Sequence, residues 1–213
     1  MTYYLIDMPL DWTAILLIVL SYLLGSIPFG YLIVQFKKGL DVRTVGSGNI
    51  GATNVLRTAG TSGGLLTLAL DLIKGYVAVC ATSYWTHQFQ PAVALSAMAV
   101  ILGHAFPVYL KFKGGKGVAT GAGIFLCLAI GPSLGAMGVF LVVVLIWRYA
   151  SLGSILAAAA FPFLYVIFKY RQEPSLWILS AALFCSGLVI CRHHENIKRL
   201  VAGTENKFAG FTK

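Results

Sequence analysis

Ser47, Arg43 or Arg57, His104, Lys116 and Asn196 are polar side chains that could work on an anion, and all but His104 lie in polar segments between long apolar runs. The sharpest such segment is Lys113-Gly114-Gly115-Lys116-Gly117-Val118-Ala119. Glycines in succession let backbone N–H groups converge on an anion without Cβ obstruction. Lys116 adds a point charge, and a following helix start adds a positive dipole end. A Walker loop would need Gly at 110 and Ser or Thr at 117, whereas the chain has Leu110 and Gly117, so nucleotide binding by that motif is rejected. Orientation charge at a membrane edge explains Lys111 but not the Gly-Gly-Lys-Gly run.

Two further polar segments offer matching chemistry. Val45-Gly46-Ser47-Gly48-Asn49-Ile50-Gly51-Ala52-Thr53-Asn54 can wrap a ligand with backbone donors, a hydroxyl and amides, and Arg43 or Arg57 can take a phosphate bidentately. It is no dinucleotide fingerprint, because no βαβ unit surrounds it. Arg192-His193-His194-Glu195-Asn196 reads on its own as an interfacial basic helix start; beside two anion-suited loops, Asn196 and one of the histidines become candidates for completing one site. Gly46, Gly48, Asn49, Asn54, Gly114, Gly115, Gly117 and Ser151 complete the candidate ligand contacts. Asp71 and Lys74, three apart on one helix, read as a structural ion pair. No carboxylate–histidine dyad is evident, and no histidine is followed five residues later by Asp: those positions hold Ala92, Tyr109, Lys198 and Arg199.

The elements that must position these residues are membrane helices. With 58% hydrophobic and 11% charged residues among 213, the chain departs from soluble domains, whose charged fraction is about 25%. Apolar runs predict helices over Trp12–Phe36, Gly63–Trp85, Pro91–Leu110, Val118–Ile130, Ser133–Trp147, Leu152–Phe168 and Ser175–Cys191, with a break at Gly131-Pro132. The 23 glycines suit close helix packing. Cys80, Cys127, Cys185 and Cys191 lack ligand spacing and read as small hydrophobes, neither a disulfide framework nor a metal site.

Charge selects the topology. Seven spans with the N-terminus outside put Lys37, Lys38, Arg43, Arg57, Lys111, Lys113, Lys116, Arg148, Arg192, Lys198, Arg199, Lys207 and Lys213 on the cytoplasmic side, leaving Lys169 and Arg171 outside. Merging the two short helices would move Arg148 and the basic tail outside. Asp7 and Asp11 before the first run argue against a cleavable signal. The expected fold is therefore an all-α membrane protein of seven transmembrane helices, some short or broken, with a cytoplasmic C-terminus and one domain over residues 1–213. The net charge of +9 follows from this topology and from anionic headgroups, without nucleic acid.

The chain resembles the bacterial membrane-integral acyl-phosphate:glycerol-3-phosphate acyltransferases over essentially its whole length. The resemblance rests on Tyr22-Leu23-Leu24-Gly25-Ser26-Ile27-Pro28-Phe29-Gly30, Gly46 to Asn54, Gly103-His104 with Lys113 to Thr120, and Arg192-His193 with Glu195-Asn196-Ile197. It implies acyl transfer from acyl phosphate to the 1-hydroxyl of sn-glycerol 3-phosphate, giving lysophosphatidic acid and phosphate, the first acylation of phospholipid synthesis. It also implies a monomer among inner-membrane lipids, a site on the cytoplasmic face, and no cofactor or metal. Ser47, Arg57, Lys116 and Asn196 would form the polar site, supported by His104, Ser151 and His193. The family usually has Arg where this chain has His194. Competing expectations are a transporter for a phosphorylated metabolite, disfavoured by the lack of an internal repeat, and acyl transfer from a thioester.

Overall fold

In hydrocarbon each backbone N–H and C=O must bond within its own segment, so apolar runs of this length fold as helices. The computed structural model describes residues 10–169 and 174–207. Asp7, Arg171 and Lys213, used in reading the topology, lie outside the described residues. In chain order the helices are α1 (Trp12–Ser26), α2 (Phe29–Lys38), α3 (Ala52–Trp85), α4 (Gln90–Ala105), α5 (Val118–Leu128), α6 (Ile130–Trp147), α7 (Ala150–Lys169), α8 (Leu176–Cys191) and α9 (His194–Val201). Short 3-10 turns occupy Val42–Thr44 and Val108–Leu110, and no strand occurs among the described residues.

Among the described residues five helical stretches are long and apolar enough to cross a membrane, and α8 with α9, bent by 55°, makes a sixth if the pair is one span. The remaining apolar helix, α5, has 11 residues against the roughly 20 a span requires. Many large side chains such as Phe36, Phe163 and Leu176 point outward, while the interior, around a few large residues such as Phe161 and Ile101, is rich in small ones, among them Ala92, Ala94, Ala97, Ala181 and Ala182. That inversion of a soluble core lets backbones approach closely. Gly25 of α1 lies on the Val100 carbonyl of α4, and Gly103 of α4 on the Tyr22 carbonyl of α1. Gly75 and Gly123 seat α3 against α5 in the same reciprocal way, on the carbonyls of Thr120 and Leu72. A Cβ at any of these positions would enter the partner's backbone.

Several sequence expectations are corrected. The first run is two helices, because Pro28 has no N–H to continue α1 and the chain turns at Ile27-Pro28. The second starts at Ala52 rather than Gly63, with a non-helical joint at Gly60 (φ 79°, ψ 178°). The α5–α6 break falls at Ala129 (φ −160°, ψ 98°); Pro132 sits in the first turn of α6, where a missing N–H is harmless. Cys80 and Cys127, expected to be unpaired, are joined in a disulfide with Cα atoms 6.1 Å apart. Their separation of 47 residues hid a proximity created only by the α3–α5 packing.

Candidate active site

The Gly-Gly-Lys loop is bound to the end of α4. Lys111 and Phe112 take left-handed backbone (φ 52° and 61°), turning the chain back on itself. The Gly115 N–H then donates to the His104 carbonyl at 3.0 Å. A Cβ on Gly115 would strike the His104 imidazole, and one on Gly114 the His104 carbonyl oxygen, so both positions require glycine for contact. Arg192, following α8, donates from Nε to the Gly115 carbonyl at 3.1 Å and from Nη2 to the Gly114 carbonyl at 3.0 Å. Its guanidinium also lies over the Phe106 ring at 5.3 Å. Gly117, at φ 82°, caps the start of α5.

Lys116 leaves this loop to reach the third segment. Its Nζ donates to Asn196 Oδ1 at 2.5 Å, a bond between residues 80 apart in sequence. Asn196, on α9 and 5% exposed, donates from Nδ2 to Glu205 Oε1 at 2.7 Å. Ser151, at the start of α7, donates to the same oxygen at 2.8 Å, and Arg199 Nε to Glu205 Oε2 at 2.7 Å. Burial pushes the Lys116 ammonium down to about 8; Glu205 opposes this, and Arg199, Arg192 and Arg57 reinforce it. Burial also disfavours ionised Glu205, but the bonds from Asn196, Arg199 and Ser151 outweigh it and hold that carboxyl below its ordinary range. His193, 2% exposed, turns Nδ1 toward the Val189 carbonyl at 2.7 Å, which assigns the proton to Nδ1 and leaves Nε2 an acceptor.

The first loop is organised from within. Buried Asn54 accepts the Ser47 N–H at 2.9 Å and donates to the carbonyls of Val42 (3.2 Å), Val45 (3.0 Å) and Asn49 (2.9 Å). Gly46 (φ 60°) faces the Asn54 side chain, Gly48 has φ 68°, and Asn49 Oδ1 accepts the Gly51 N–H at 2.8 Å. Asn49 and Asn54 were expected to touch ligand; these bonds commit Asn54 wholly, and Asn49 through its side-chain oxygen, to shaping the loop. Ser47 is exposed at its rim, and Arg57 is exposed on the first turns of α3. Arg43, the other guanidinium considered, is occupied: it pairs with Asp41 at 2.7 Å and lies over Tyr31 at 5.4 Å.

Sequence reasoning missed Glu205, Arg192 and Arg199 as members of this cluster. Glu205 had only a weak signal, Gly203 (φ 68°) turning the chain after α9. His194, where the family resemblance implied an Arg, is exposed beside Glu195 at 3.2 Å, while Arg192 and Arg199 carry guanidinium groups inward. A carboxylate–histidine pair also exists, contrary to expectation: His104 Nδ1 lies 3.6 Å from Asp71 Oδ1 and 3.2 Å from Thr120 Oγ1. Helix packing brings α3 to the end of α4, which linear spacing cannot reveal.

Small-residue helix packing around a loop-built, cation-rich cluster defines an integral membrane protein with an anion-suited site. Residues 15–203 match the family model for glycerol-3-phosphate acyltransferase, and the chain belongs to that family. It is 48% identical to the glycerol-3-phosphate acyltransferase of Syntrophotalea carbinolica, covering 91% of this chain and 96% of the relative. It is 50% identical to that of Trichlorobacter lovleyi, covering 88% and 94%. The fold is similar to the crystal structure of PlsY, an integral membrane glycerol 3-phosphate acyltransferase, in its glycerol 3-phosphate form. That likeness has a TM-score of 0.84 at 38% identity and covers 92% of this chain and 96% of the other. The lysophosphatidic acid form gives 0.81 at 36%, covering 92% and 95%.

Proposed function

We propose that this protein transfers a fatty acyl group from acyl phosphate to the 1-hydroxyl of sn-glycerol 3-phosphate, releasing lysophosphatidic acid and inorganic phosphate. The observation that carries this reading is the Lys116–Asn196 bond, which joins a glycine-rich anion loop to the third polar segment in one half-buried, cation-rich cluster. Lys116, Arg57 and the backbone N–H groups of Gly114, Lys116 and Gly117 neutralise phosphate, with Ser47 and Asn196 orienting the acceptor and Ser151 and His193 supporting it. The acceptor oxygen attacks the acyl carbon, the bond from that carbon to the phosphate oxygen breaks, and the hydroxyl proton passes to substrate phosphate. His104, buried under the loop, positions rather than abstracts. A mixed anhydride already carries a good leaving group, so no acyl-enzyme is required.

In this reading the protein is a monomer crossing the bacterial inner membrane seven times, α5 being the short span, with the pocket at the cytoplasmic face. Purified protein supplied with palmitoyl phosphate and glycerol 3-phosphate should release phosphate and lysophosphatidic acid in equal amounts. Palmitoyl-CoA should not replace the donor. Efficient transfer from the thioester, or an acyl adduct on Ser47 when acceptor is withheld, would overturn the mechanism. Cysteines placed at Gly39 and Lys207 should label from the cytoplasmic side and one at Gln90 from the other; labelling of position 207 from outside would sink the seven-span arrangement.

A further inference from the structure

The transfer chemistry proposed above makes no use of the most expensively buried charges in the protein. Asp71 and Lys74 of α3 are each 2% exposed, His104 is 4% exposed and Thr120 fully buried. Lys74 Nζ lies 2.8 Å from Asp71 Oδ1, donates at 3.0 Å to the Ile27 carbonyl at the α1–α2 break, which also accepts the Phe29 N–H, and sits 5.5 Å from the Phe29 ring centroid. Asp71 Oδ1 also faces His104 Nδ1 at 3.6 Å, yet it receives no well-aligned hydrogen bond. Buried ion pairs can often be exchanged for apolar side chains at no loss of stability, and charge within a membrane helix costs more still. Stability alone is a poor explanation for this cluster.

Its position supplies a better one. The α3 stretch from Asp71 to Gly75 touches both flanks of the Gly-Gly-Lys loop. On the entering side, Asp71 faces His104, whose carbonyl holds the Gly115 N–H and whose ring is the surface on which Gly115 lies. On the leaving side, Gly75 lies on the carbonyl of Thr120, whose hydroxyl is 3.2 Å from the same His104 nitrogen. A carboxylate facing Nδ1 favours the tautomer with the proton there and holds the ring plane against the loop.

We infer that Asp71, itself held by Lys74, is a positioning residue that sets the anion affinity of the Gly114–Gly115–Lys116 loop through the orientation of His104. This rests on the proposed reading of that loop as the phosphate site.

The decisive variant neutralises both charges together, Asp71→Asn with Lys74→Met, because either change alone leaves a buried charge unpaired. The double variant should melt within a few degrees of the parent in detergent. Its Kd for inorganic phosphate, and for glycerol 3-phosphate, should rise at least about tenfold, with KM rising more than kcat falls. A folded double variant with parental affinity for both ligands would overturn the inference while leaving the loop's role intact. A parent protein that binds neither ligand would instead overturn the reading of the loop. Nitrogen-15 spectra of the unmodified protein test the same point independently of variant folding: His104 should carry its proton on Nδ1, and a bare Nδ1 with protonated Nε2 would refute the carboxylate's control of the ring.

Discussion

The first polar loop and the pair formed by the second and third are built on opposite plans. Between Val42 and Asn54 the loop is closed by one local side chain, Asn54, which holds a backbone N–H and three carbonyls no more than 12 residues away. Lys116, Asn196, Ser151 and Glu205 instead meet only because α5, α7, α9 and the segment beyond α9 come together. A self-closed loop keeps its shape if distant helices shift slightly, whereas the assembled pocket changes charge and geometry with every helix that supplies it.

The strongest way to sharpen that comparison is Lys116→Ala. Loss of the half-buried cation should lower lysophosphatidic acid formation by about 10²-fold or more with the melting temperature little changed. Near-normal turnover of folded Lys116→Ala would end its assignment as the phosphate partner. Asn54→Ala attacks the other plan. Each buried polar group left without a partner costs about 1–3 kcal/mol, so several at once should lower the melting temperature by about 5 °C or more and activity by roughly tenfold. If activity fell while melting stayed put, Asn54 would be acting on substrate rather than on the loop.

A smaller and more diagnostic effect is expected from Glu205→Gln. Glu205 raises the Lys116 pKa against burial, so neutralising it should move that pKa below about 8 and shift the alkaline fall in activity to lower pH. Rates should drop several-fold at pH 8 and little at pH 6.5; an unshifted alkaline limb would disconnect Glu205 from Lys116. The smallest effect belongs to Arg43→Gln. Its pair with Asp41 is about one-third exposed, worth under about 1 kcal/mol, so activity should stay within about twofold of the parent. Arg57→Gln, by contrast, should cost about tenfold or more. Equal losses from the two variants would erase the distinction between them.

Much of the architecture is legible in the residues themselves. Apolar runs cannot leave backbone groups unbonded in lipid, so helix existence follows from composition, and the meeting of Lys116 with Asn196 is in keeping with the order of the polar segments. Loop shape at Gly46, Gly48 and Gly117 is likewise local, since positive φ favours glycine wherever it occurs. Family membership was readable for the same reason, because the motifs are contiguous. The Cys80–Cys127 bond, the approach of Asp71 to His104, the hold of Arg192 on the loop carbonyls and the return of Glu205 toward Lys116 were decided by tertiary structure alone. The disulfide depends on which faces of α3 and α5 meet, faces set by glycines lying on the neighbour's backbone, and the others on how separate elements return to one end of the bundle, a geometry that spacing along one chain does not encode.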